Sequence, residues 1–159
     1  MKDYKASLLA GITAAKKAAD NKKEVREVID TLSSQVMEIS DNKATLGIAS
    51  LNRKPKNDVA AAMIGLAHMM ALQKREEYFA LCVFDEKNTN GIEIAEWLQD
   101  DAGYPCTIKY NGQQFFCSNK TELEDSLAQL LKEVKTGEAI LKQISKFDSK
   151  IKPSDETPA

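Results

Sequence analysis

The sequence predicts an α+β domain: a mainly antiparallel sheet of about four or five strands packed against two helices, with an extended helical arm at the amino end. Three observations carry that expectation. Apolar residues recur at three- and four-residue steps through the first forty positions, in two sets with neither Gly nor Pro between them. Between residues 44 and 118, short alternating or fully apolar runs are punctuated by turn residues. One of those punctuations is Asn111-Gly112, the dipeptide best suited to a two-residue type I′ hairpin.

In chain order, Tyr4, Leu8, Ile12 and Ala15 form the first helical set, and Val25, Val28, Ile29, Leu32, Val36 and Ile39 the second. Asn21 followed by Glu24 fits a capping box, so one long helix or a two-helix hairpin would both satisfy the pattern. The stripe is narrow and the flanks are rich in Lys and Glu, so the segment must fold back on its own domain or pair with a second copy. Ala44 to Leu51 then alternates as a strand, with Ala44, Leu46 and Ile48 on one face. Asp58 is an N-cap for a nearly all-apolar helix reaching about Glu76, and Tyr78 to Phe84, apolar on both faces, reads as an interior strand. Ile92, Ile94 and Leu98 favour a strand over a short helix, because Asp100-Asp101-Ala102-Gly103 fits a type I hairpin turn closed by a glycine. The hairpin Cys106–Tyr110 with Gln113–Ser118 sets Ile108 against Phe115 and Cys106 against Cys117. A last helix starts near Thr121, capped by its hydroxyl with Glu124 three residues on, and extends to about residue 146 with a break allowed at Gly137. The organisation is therefore an arm over 1–40, a globular domain over 41–147, and a tail over 148–159 too poor in apolar residues to order itself.

At 159 residues, 43% hydrophobic and 29% charged, the chain has the composition of one globular domain with an appendage. The net charge of −2 conceals an asymmetry: residues 1–56 hold 11 basic against 7 acidic side chains, the remainder 11 against 17. Neither excess is the dense basic stripe of a phosphate-binding protein. No window provides the roughly 20 apolar residues of a membrane span, and the amino end lacks a signal-peptide core, so a cytoplasmic protein is expected.

Candidate chemistry is sparse. Cys106 and Cys117 form a possible redox pair, but in a reducing compartment two thiols touching across a sheet is the simpler expectation. His68 has no adjacent nucleophile or acid, which speaks against catalysis while leaving open an enzyme or small-ligand pocket beside it. Asp41–Ile48 and Asp85–Ile92 share the pattern D-x-K-x-T-x-G-I, and in the second copy Asp85, Ile92 and Glu96 fall at calcium-loop positions. Lys87 at a ligand position opposes the ion there, so no metal and no cofactor is expected. Trp97, flanked by Glu96, Asp100 and Asp101 and near Tyr104 and Tyr110, forms an acidic aromatic patch suited to a basic protein partner. Lys16, Lys17, Lys22, Lys23 and Arg26 are the basic cluster that a nucleic-acid-binding accessory protein would use. By elimination the expected function is non-enzymatic: a protein-protein interaction protein (adaptor, regulatory or neutralising partner) that self-associates through its amino-terminal helix.

Overall fold

The computed structural model describes residues 1–53 and 76–151. The helix expected from Asp58 lies outside them, as does His68. Among these residues one helix, α1 (Lys5–Ile39), precedes five strands, β1 (Ala44–Arg53), β2 (Glu76–Asp85), β3 (Ile92–Gln99), β4 (Cys106–Tyr110) and β5 (Gln113–Cys117). Two helices follow, α2 (Lys120–Leu131) and α3 (Val134–Ile151). The strands pair in chain order as an antiparallel meander, which confirms the α+β class.

The amino-terminal segment is a single 35-residue helix. Asn21 does not cap a second one, because its side chain turns outward and donates to the Ala102 carbonyl at 3.0 Å. Nor is the whole of it an arm. Val25, Val28, Ile29, Leu32 and Val36 are buried against the sheet, so the second half of α1 belongs to the core and only the first half projects. The helix ends where Asp41 (φ 53°) and Asn42 (φ 61°) take left-handed backbone and Ser40 closes onto Ala44 through its hydroxyl.

Residues 92–99 are a strand, as the following turn favoured. The β4–β5 hairpin has the expected register, Ile108 to Phe115 and Cys106 to Cys117, around Asn111 (φ 52°) and Gly112 (φ 72°). One sheet face carries Leu46, Leu81, Val83, Trp97 and Ile108, which meet α1, Leu123, Leu127 and Leu130 of α2, and Ala139 of α3. Period-two alternation sends Glu96, Leu98, Lys109 and Phe116 to the other face.

Three expected boundaries move. The last helix is capped by Asn119, not Thr121: its side chain accepts from the Glu122 amide at 2.9 Å while Glu122 reaches back to the Ser118 amide. The break falls between Leu131 and Val134 instead of at Gly137, because the buried Thr136 hydroxyl donates to the Leu130 carbonyl at 2.8 Å and fixes the corner there. Helix α3 then runs past 148 to Ile151, since Asp148 pairs with Lys43 (2.8 Å) and Lys150 with Glu86 (3.3 Å). Buried Gln143 joins this helix to the sheet, its Nε2 donating to the carbonyls of Val83 (3.0 Å) and Asn90 (2.8 Å).

Candidate interaction surface

Helix α1 spans about 52 Å at 1.5 Å per residue. Its first half leaves the domain with Tyr4, Leu8 and Ile12 exposed at 62%, 65% and 52%. At 100° per residue these three share an arc of about 80° with Ala15 and Ala19. The residues that reach the core, Val25, Ile29, Leu32 and Val36, lie about 100° round the helix from them. The projecting stripe is therefore distinct from the buried one, and continuous along one side of the arm.

The 100–103 turn fixes the arm at its base. Gly103 (φ 92°) lies so close to α1 that a Cβ there would approach Asn21 Cβ to 2.4 Å. Asn21 bonds Ala102, and the Tyr104 hydroxyl donates to Glu24 at 2.8 Å. Burial, reinforced by that carboxylate, pushes the Tyr104 phenol far above its ordinary range, so Tyr104 acts as a neutral donor clamping the helix.

The acidic aromatic patch is not one surface. Trp97 is only 3% exposed and packs in the core, so it is not a protruding anchor. It lies beneath a cleft of about 320 Å³ with Ile48 and Phe79, rimmed by Lys22, Gln99, Asp100 and Asp101. Asp100 is partly spent on the turn, accepting from the Ala102 amide at 2.9 Å, whereas Asp101 is exposed. Glu96, the next residue back, faces the other way. It takes a two-pronged contact from Arg53 at 3.2 Å, while Arg53 also meets Glu76 at 3.3 Å and stacks on the Tyr78 ring at 4.5 Å. Tyr110 lines that second cleft, of about 370 Å³, with Lys109 and Glu93. The Glu96 and Glu76 carboxylates hold Arg53 more firmly protonated, so opposite charges neutralise one another there. Tyr104 lies apart at the arm base with Ala14, Lys17 and Ala18.

The basic residues scatter as well. Lys22 and Arg26 point along the β1 side of α1, Lys17 towards Tyr104, and Lys23 pairs with Glu27 at 4.0 Å, with Lys16 about 80° from Arg26 and about 120° from Lys22. That spread makes no continuous phosphate-binding stripe.

Cys106 and Cys117 oppose each other as free, fully buried thiols. Burial pushes Cys106 up to about 12 and Cys82 up to about 11, and raises Cys117, so a reactive thiolate is suppressed at all three. The folded chain should alkylate with iodoacetamide at least about a hundredfold more slowly than an exposed thiol, and take up three equivalents once denatured. Rapid labelling of the native chain would show these strands opening far more readily than their burial allows.

In the calcium-like loop the Asp85 carboxylate is already occupied. It accepts from the amides of Thr89 (2.8 Å) and Lys87 (3.0 Å), the Thr89 hydroxyl (2.9 Å) and Asn90 Nδ2 (2.8 Å). The Thr89 amide is the chief cause of a pKa held down to about 2, against the opposing pull of burial. A carboxylate depressed in the folded state stabilises it above its unfolded pKa of about 3.9, and that contribution disappears as pH falls towards 2. Asp85→Asn should therefore flatten the loss of urea midpoint between about pH 4 and pH 2; an unchanged acid limb would remove Asp85 as its source. Among the described residues, no group of three or more His, Cys, Asp or Glu side chains is placed to hold a metal ion, and no helix is long and apolar enough to cross a membrane.

Sequence reasoning missed the Arg53 network and the parts that Ile48, Phe79 and Lys22 play beside Trp97. Strand alternation places Phe79 directly across from Trp97, a signal obscured because the run from Tyr78 to Phe84 is apolar on both faces. In comparisons with protein-family models, curated proteins and solved structures, the chain matches none.

Proposed function

We propose that the protein is a non-enzymatic cytoplasmic interaction module, of the adaptor, regulatory or neutralising kind, that self-associates through its amino-terminal helix. The observation that carries the reading is the stripe of Tyr4, Leu8 and Ile12, half or more exposed on a helix anchored at Asn21 and Glu24. Most helical stability comes from packing an apolar face, so extending a helix from a packed base is favoured when its projecting apolar side finds a partner. The unbridged, facing thiols of Cys106 and Cys117 fit a reducing compartment. Sedimentation equilibrium of the full chain at micromolar concentration tests the reading. A dimer or larger oligomer that dissociates on dilution is expected, and a monomer throughout overturns it.

A further inference from the structure

The arm and the cleft beneath which Trp97 lies are on the same side of α1. Lys22, which rims that cleft, is 18 residues from Tyr4, five full turns of helix, and so shares its angular position. An element lying along the exposed stripe would therefore end over the cleft. We propose that this element is the arm of a second copy, running antiparallel, so that the tip of each arm closes over the other copy's cleft. The inference rests on the self-association reading and adds its geometry and receiving site.

Size complementarity selects the direction. In the antiparallel register that sets Tyr4 against Ala19, Leu8 falls against Ala15 and the two Gly11–Ile12 steps meet at the two-fold axis. Every large side chain then faces a small one, and Gly11, which has open space around its Cα, lets the backbones approach at the crossing. A parallel pair would set Tyr4 on Tyr4 and alanine on alanine, align Lys16 with Lys16, and leave both clefts uncovered.

Charge and side-chain direction agree. Helical side chains lean towards their own amino end, so Tyr4 leans past Ala19 of the second copy towards its cleft. There the tip brings Lys2 and Lys5 to a rim on which the carboxylates of Asp100 and exposed Asp101 outnumber the single ammonium of Lys22. The one acidic residue of the tip, Asp3, has an oxygen engaged by the Lys5 amide at 3.0 Å. Ile48 and Phe79, both partly exposed, supply the apolar surface that Tyr4 would cover.

Oxidative cross-linking and sedimentation test it together, the resident thiols being buried. A mixture of Leu8→Cys and Ala15→Cys chains should form a mixed disulfide-linked dimer, whereas Leu8→Cys alone should not. Self-linking of Leu8→Cys would overturn the antiparallel direction while leaving self-association standing; a monomeric wild-type chain would overturn both. Asp101→Lys, at a position outside the turn's hydrogen bonds, should weaken the dimer roughly tenfold, and adding Lys5→Glu should recover most of that loss. Mixed cross-linking with no response to Asp101→Lys would overturn the docking of the tip on the cleft.

Discussion

Gly103→Ala should cost the folded protein about 3 kcal/mol or more, among the larger effects of any single methyl group in the chain. Two penalties add at this position. The backbone stands at φ 92°, where an L side chain is strained by about 1–2 kcal/mol. The new Cβ would also lie 2.4 Å from Asn21 Cβ, 2.9 Å from the Lys22 amide nitrogen and 3.0 Å from the Asn21 carbonyl carbon. Two of those atoms are helix backbone, so the turn must withdraw and surrender the Asn21–Ala102 bond. Gly112→Ala separates the terms, because Gly112 has a similar φ of 72° with nothing near its missing Cβ. It should lose only the conformational part, about 1–2 kcal/mol. Urea unfolding of both variants by circular dichroism gives the difference; equal losses would mean that the 100–103 turn does not clasp the arm.

The clasp also marks the limit of what the sequence discloses. Local signals were legible: Asn111-Gly112 dictated a hairpin and its register, and the 100–103 turn decided that residues 92–99 extend as a strand. These features depend on a few adjacent residues, so tertiary context had little to override. Competing local signals were not resolvable. Asn119 with Glu122 and Thr121 with Glu124 are both valid caps, and the Ser118–Glu122 bond selects the first. Helix α1 contains two apolar stripes on different sides, and periodicity alone does not say which one the sheet covers. The acidic patch failed for a plainer reason. Adjacent strand residues face opposite ways, so Glu96 and Trp97 could not share a surface, however close in sequence.

Replacing Leu8 and Ile12 together with Glu should abolish self-association while leaving the fold untouched. Both side chains are more than half exposed in the single chain, so the monomer loses little by the exchange. A symmetric pair loses the contact twice. At about 1.5–3 kcal/mol for burying a large aliphatic side chain, four lost contacts weaken the dimer by at least about a hundredfold even if burial is partial. The carboxylate introduced at position 12 adds repulsion at the crossing, where it lies beside its own copy across the axis. Leu141→Glu is the matched control: Leu141 is 64% exposed on α3, away from the arm, and should leave association unchanged. Sedimentation and thermal melting on all three chains give a joint criterion. Loss of association with the melt of the wild-type chain diluted to monomer assigns the contact to the arm stripe, whereas equal loss in the Leu141 variant would show that exposed apolar surface of any kind drives it.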